Sequence, residues 1–372
     1  MWTKILADLV SFKTITPNGG NAINYCSEFL SNLGFKCSIL KFGIVSNLYA
    51  KYGNFPQNIC FAGHIDVVPP LGRWETNPFI LTERNGKLYG RGTCDMKGGI
   101  ATVLAAITEY LSQNKPNFSI SVMLTSDEEI MSSDGTKSVV EYLKSQNEKI
   151  TGCVLCESCS PEKAGEYIKI GCRGSININL TSQGTQCHVI NGIKYGNHLH
   201  SFVKLLSKIV SEKLDDGNEC FDRSDIELTS IDVANKVCNI IPPFATAKLN
   251  IRFNNNWTSQ QLIDYIDNIV SPSVVAKYEC CGEAFIGSNM NFINFCLNAV
   301  KQCTNGAVSF GTKGGNSDAQ FIKDITQVVE IGSSIREAHI ANEFISISDL
   351  ELMKKIYKKI LIESKDFFHK NN

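Results

Sequence analysis

The chain has 372 residues, of which 43% are hydrophobic and 20% charged, with 36 Lys plus Arg against 37 Asp plus Glu for a formal net charge of −1. This apolar content supports a sizeable core and excludes disordered, collagen-like and small peptide scaffolds, and the length predicts about two to three domains. An even charge balance without a Lys/Arg block speaks against nucleic-acid binding and against a basic patch for an anionic membrane.

No apolar run approaches the ~20 residues of a spanning helix. The opening MWTKILADLVSF is broken by Lys4 and Asp8 and lacks a small-residue cleavage site, so it does not read as a signal peptide and a cytoplasmic location is expected. The 15 cysteines are odd in number and scattered, which predicts reduced thiols. Cys60, Cys153 and Cys296 sit in apolar stretches as small hydrophobes.

In chain order, Trp2, Ile5, Leu6, Leu9 and Val10 fall at helical spacing, and a second helix is expected over 21–33, before Gly34. Short apolar runs at 37–42, 46–51 and 58–62 follow, the last leading into Gly63-His64-Ile65-Asp66. A helix is expected over 98–111, a strand over 118–126, a helix over 136–144 and an apolar run over 151–156 that leads to Glu157. Strands alternating with helices predict an α/β fold with a mostly parallel central sheet, whose ligands bind beyond the strands' carboxyl ends.

From Ser175 the texture changes. SININLTSQ, DIELTSIDVA and ATAKLNIRF alternate apolar and polar residues, as half-exposed antiparallel strands do, with helical stretches near 197–213 and 258–269. The α/β texture returns with a helix at 290–303, strands at 306–310 and 327–331, and a helix at 348–362. The expected organisation is therefore a large domain over 1–174 and 286–372, with a smaller α+β domain inserted at 175–285.

Two of the 6 histidines are expected in loops at the ends of apolar strands, His64 among the residues that follow such a run, and Asp66, Asp95, Glu128, Glu129 and Glu157 each follow or end an apolar run. A lone His-x-Asp is ordinary surface charge, and a Glu-Glu pair commonly opens a helix. Together, however, these residues place several negative charges in one cleft, where like charges repel by several kcal/mol unless a cation lies between them. Mixed His/carboxylate ligation suits zinc in an open catalytic site. In an extended segment residues i and i+2 face the same way, so Asp66 can accept the free ring N–H of His64.

The motifs GHIDVVP, YGRGTCDMKGGIA, TSDEE followed by DGT, ESCS, GCRGS, GGNSDAQF and the late His339 occur in that order over nearly the whole chain. This series resembles the M20 family of co-catalytic metallopeptidases and amidohydrolases. The resemblance implies a zinc-peptidase-like catalytic domain with an inserted lid and dimerisation domain. It implies two zinc ions per subunit, replaceable by cobalt: one held by His64, Asp95 and Glu157, the other by Asp95, Glu129 and His339, with Asp95 shared. Asp66 would orient His64, and Glu128 would be the general base and acid. The resemblance further implies a cis peptide after Asp95, a homodimer, an oxyanion role for His188 across the dimer interface, and substrate contacts from Arg173, Ser175, Asn239 and Arg252. Planar Arg forks suit a substrate with several carboxylates. The implied reaction is hydrolysis of N-succinyl-LL-2,6-diaminopimelate to succinate and LL-2,6-diaminopimelate, serving lysine and diaminopimelate synthesis.

The chain departs from the family pattern in places. Ser158 follows Glu157 where Pro is usual, Cys172 replaces the first of two arginines, Val189-Ile190-Asn191-Gly192 replaces Val-Ala-Tyr-Pro, and Asn316 replaces a Thr. The ligand set is intact while part of the substrate set is altered, which keeps open another small N-acyl amino acid, handled by an acetylornithine deacetylase or a dipeptidase of the same family. A metal- or peptide-binding protein without catalysis is the alternative of another class, and the retained Glu128 argues against it. Cys153, Cys156 and Cys159 form CxxCxxC, but an iron–sulfur cluster wants a fourth Cys nearby, and Ser160-Pro161 follows.

Overall fold

The structure is a computed structural model that describes residues 1–130, 133–304 and 306–370. Backbone contacts divide it into two compact units, Met1–Gly171 with Gly287–Asn372, and Cys172–Ile286. Among the described residues no helix is long and apolar enough to cross a membrane.

The first unit opens with α1 (Trp2–Ser11), whose Trp2, Ile5, Leu6, Leu9 and Val10 are the buried stripe, and α2 (Gly20–Asn32). An eight-stranded sheet follows. Its strands are β1 (Lys36–Phe42), β2 (Val45–Tyr52), β3 (Asn58–His64), β4 (Ser119–Thr125), β5 (Gly152–Leu155), β6 (Tyr167–Lys169), β7 (Ser309–Gly311) and β8 (Val328–Glu330), in spatial order β1-β2-β4-β3-β5-β8-β6-β7. The β1/β2, β2/β4 and β8/β6 pairings are antiparallel, and the others are parallel. Every residue of β3, β4 and β5 is buried, which is why these strands read as continuous apolar runs rather than alternations.

Between β3 and β4 runs α3 (Lys97–Gln113), which packs against α1 and against the terminal α6 (Ile347–Lys370). Its Gly99 permits close approach to the sheet: a Cβ there would lie 2.3 Å from the Cys156 carbonyl oxygen. A wide turn over Ser133–Lys137 leads into α4 (Ser138–Ser145), and α5 (Met290–Cys303) packs on α6. The terminal helix runs well past the expected 362, since Phe368 is still buried. The strand expected at 306–310 lies instead at Ser309–Gly311, paired with Tyr167–Lys169. Three short strands, Thr82–Arg84, Lys87–Tyr89 and Phe344–Ser346, form a separate sheet that sequence reading did not anticipate, because three residues are too few to display a period. All 15 cysteines are free thiols. The Cys156 and Cys159 thiols turn to the main-chain oxygens of Val154 and Glu330 respectively.

The second unit is an antiparallel sheet, in order Asp225–Asp232, Phe244–Phe253, Gly174–Gln183 and Val274–Gly282. One of its faces packs on helices His198–Ser211 and Ser259–Ile269 through Ile176, Ile178, Leu249, Ile251, Phe202, Leu206, Leu262 and Ile266. Thr258 opens the second helix with a reciprocal cap to Gln261. The strand at 274–282 is an addition to the sequence reading. It is an edge strand in which only Val274 is fully buried, so its alternation is muted.

Candidate metal centre

The parallel register brings the site together. His64 pairs with Thr125 across β3 and β4, and Ala62 pairs with Leu155 across β3 and β5. The three strands therefore end at one edge, and the residues that follow them, Asp66, Glu128 with Glu129, and Glu157, emerge side by side. Asp95 arrives differently. It lies on the loop before α3, not at the end of a strand of the eight-stranded sheet, since the apolar run preceding it belongs to the small separate sheet. Gly63 makes room for this loop, because a Cβ there would lie 2.5 Å from Met96 Cε. The Asp95–Met96 peptide is cis.

His64 Nε2 lies 3.1 Å from Asp95 Oδ1 and 3.5 Å from Glu157 Oε2. His339 Nε2 lies 3.1 Å from Asp95 Oδ2 and 3.0 Å from Glu129 Oε2. The two oxygens of Asp95 thus face two different histidines, each accompanied by a glutamate. Donor atoms of His64, Asp95 and Glu129 all lie within 4.8 Å of one another. His339 has φ +64, a left-handed conformation that costs a non-glycine residue of order 1–3 kcal/mol and recurs at ligand clamps.

These residues fit a pair of divalent ions. Glu157 Oε1 accepts from the Ser158 amide at 3.0 Å, whereas buried Oε2 has no hydrogen-bond partner among the described residues. An orphaned carboxylate oxygen facing an imidazole nitrogen is costly unless something positive lies between them. His64 Nδ1 stands 3.0 Å from the main-chain oxygen of Asp66; a carbonyl only accepts, so Nδ1 carries a proton and Nε2 faces the carboxylates as a potential ligand. Here the structure differs from the sequence expectation. The Asp66 carboxylate is farther, 3.6 Å from Nδ1, and accepts instead from the amides of Glu128 at 3.4 Å and Glu129 at 3.2 Å. The two-residue spacing brought Asp66 to the ring, but its carbonyl takes the ring proton and its side chain steadies the Glu128–Glu129 loop.

The electrostatics reflect this crowding. Burial opposes the charge on His64, but the neighbouring carboxylates of Asp66, Asp95 and Glu157 outweigh it and raise its pKa well above the ordinary value. Asp95 and Glu129 hold the His339 imidazolium up to about 10. Burial likewise disfavours the Asp95 carboxylate, yet His339 and His64 hold it below the usual range. Burial, then the Asp95 charge, pushes Glu157 up to about 8. Glu128 is raised well above a normal glutamate by burial, with Asp318, Glu157 and Glu129 adding to it against His64. Without a cation the cluster therefore holds protons near neutral pH, and a metal must displace them. Zinc added to chelator-stripped protein at pH 7 is expected to release acid, and apparent affinity is expected to rise toward pH 10. A pH-stat titration showing no acid release would contradict the protonated cluster.

The other predicted site residues lie in the second unit. Arg173 forms an ion pair with Asp225 at 3.4 Å, and Arg252 pairs in register with Ser175 and donates to Asn250 Oδ1 at 3.0 Å. Ser175 is buried and accepts from Asn250. His188 is exposed, with Nδ1 accepting from the Ile190 amide, and the Asn239 oxygen accepts from the Val189 amide. Sequence reading gave no role to two residues around the site. Ser158, standing where the family pattern has Pro, donates to the Cys94 carbonyl at 2.7 Å. Glu343 is a fully buried carboxylate four residues beyond His339. Its only sequence signal was an acid at the head of the apolar run FISI.

Residues 60–363 match the family described as peptidase family M20/M25/M40. Succinyl-diaminopimelate desuccinylase of Wolbachia pipientis wMel is 41% identical over 98% of this chain and 92% of its own length. The protein of that name from Rickettsia bellii (strain OSU 85-389) is 38% identical over 98% and 97%, and that from Pelagibacter ubique (strain HTCC1062) is 40% identical over 95% and 96%. Among solved structures, aminopeptidase PepT from Bacillus cereus superposes with a TM-score of 0.80 at 16% identity, covering 97% of both chains. The M20 family metallo-carboxypeptidase Sso-CP2 from Sulfolobus solfataricus does so with a TM-score of 0.78 at 18% identity, covering 97% of this chain and 98% of that one. The YXEP protein of Bacillus subtilis, described as a dinuclear metal binding peptidase of this family, gives 0.73 at 12% identity over 98% of each. The ordered motifs, the mostly parallel sheet with its separate antiparallel unit, and these full-length matches have one reading: the chain belongs to the M20 family of metallopeptidases.

Proposed function

We propose that this chain is a succinyl-diaminopimelate desuccinylase, which hydrolyses N-succinyl-LL-2,6-diaminopimelate to succinate and LL-2,6-diaminopimelate. The full-length relatives at 38–41% identity support the substrate. The observation that carries the chemistry is Asp95, whose two carboxylate oxygens face separate His/Glu pairs beside Glu128.

In this reading His64, Asp95 and Glu157 hold one zinc ion, and Asp95, Glu129 and His339 hold the second, with cobalt able to replace either. When bound, the metal pair supplies Lewis acidity toward the amide carbonyl and lowers the pKa of an attacking water. Glu128 is not in either ligand set, and burial places its pKa well above the usual value, so it can take the water proton and return it to the departing amine. Asp66 holds the loop that carries it through the amides of Glu128 and Glu129. Arg173 and Arg252 supply positive charge for substrate carboxylates, with Ser175 and Asn239 adding polar contacts. The reading includes a cytoplasmic homodimer in which His188, exposed in the second unit, stabilises the oxyanion in the partner's site.

The test is succinate release from N-succinyl-LL-2,6-diaminopimelate before and after chelation. Activity is expected to vanish with the metal and return with added zinc. Turnover of N-acetylornithine or a dipeptide in preference to the succinyl substrate would reassign the chain within its family. Bound metal without turnover of any amide would favour a binding protein.

A further inference from the structure

Behind the ligand cluster, Glu343 and Arg91 form a buried ion pair, 0% and 1% exposed, with Arg91 Nη1 donating to Glu343 Oε2 at 2.7 Å. The rest of the Glu343 carboxylate is committed to one short loop. Oε2 also accepts from the Gly92 amide at 3.0 Å, and Oε1 accepts from the Cys94 amide at 2.8 Å and the Asp95 amide at 3.1 Å. All of the roughly four acceptor positions of a carboxylate are used. The loop can wrap this group because it turns at Gly92, which has φ +86 and where a Cβ would lie 2.8 Å from Val67 Cγ1. The Gly90 amide donates to the Glu343 main-chain oxygen at 3.0 Å, so backbone and side chain of one residue grip the same segment.

Glu343 stands four residues from His339, so one side chain ties the loop that carries Asp95 to the loop that carries His339. Asp95 must reach His64 with one oxygen and His339 with the other, each at 3.1 Å. A ligand shared in this way tolerates little misplacement, since sites of this kind demand positioning within about 0.5 Å.

We propose that Glu343 is a positioning residue whose carboxylate presets Asp95 and locks it to the His339 loop, so that both halves of the metal site are in place before any ion arrives. This inference rests on the reading of Asp95 as the shared ligand. Full-length protein stripped by chelator is titrated with zinc against a chromogenic competitor. Glu343→Gln presents an amide NH2 where two N–H donors converge, and zinc affinity is expected to fall about 10–100-fold with KM for substrate unchanged. Arg91→Lys keeps the charge and leaves both Oε1 contacts, so it is expected to retain wild-type zinc affinity. An equal loss in the two variants, or none in Glu343→Gln, overturns the proposal.

Removing one partner of a buried pair can prevent folding, so hydrogen exchange in the wild-type protein gives a second readout. The Cys94 and Asp95 amides are expected to exchange slowly even without zinc. Fast exchange that slows only on zinc addition overturns the preset geometry. If the wild-type protein takes up no zinc, the metal reading itself fails; if it does and Glu343→Gln matches it, only the inference fails.

Discussion

Glu128→Gln is expected to lower kcat for succinate release by about 10²–10⁴-fold, the range that a positioned general acid or base contributes. The upper part of that range is expected because the same carboxylate acts twice, accepting the proton of the water and later delivering it to the amine. Glutamine preserves size and the backbone contact to Asp66, so the loop stays in place while the proton carrier is lost. The check is a paired measurement of steady-state rate and metal content. Zinc stoichiometry and KM are expected to stay at wild-type values, since Glu128 belongs to neither His/Glu pair facing Asp95. Full activity in this variant would end the proposed mechanism.

Asp95→Asn is expected to exceed that loss and to act by a different route. The amide group keeps one acceptor oxygen and turns an NH2 toward the other histidine, so at most one His/Glu pair retains its shared partner. Metal analysis is expected to find fewer than two zinc ions per chain. Glu129→Gln and Glu157→Gln, which each touch a single pair, are expected to lose one ion and leave the other. Two ions and wild-type turnover in Asp95→Asn would refute the shared-ligand arrangement.

How much of this was legible in the sequence depended on how far each signal travels along the chain. The α1 stripe and the buried runs of β3 and β4 are local patterns, set by whether one face or both is covered, and they were readable. The edge strand at 274–282 and the three short strands were not, because an edge strand whose inner face is only half-buried past Val274 and a three-residue strand carry a weak period. Glu343 was invisible for another reason. Its importance lies in three amides and a guanidinium that sit about 250 positions earlier in the chain, and nothing in its neighbourhood records them. Asp66 shows the intermediate case: its spacing correctly placed it at His64, but which of its oxygens met the ring depended on where the loop after β4 brought the Glu128 and Glu129 amides.

The amino-acid order alone determined that this is a reduced, near-neutral α/β protein with an inserted antiparallel unit and a set of histidines and acids suited to divalent metals, because composition, periodicity and residue chemistry are local properties. Only the tertiary structure decided that the two oxygens of Asp95 face different histidines, that Glu157 Oε2 faces His64 without a hydrogen bond among the described residues, and that Glu343 grips the loop from behind. These contacts join segments from 31 residues apart, as for His64 and Asp95, to 252 apart, as for Arg91 and Glu343, aligned to tenths of an ångström by the parallel register and the packing of α3, and no local pattern encodes such distances.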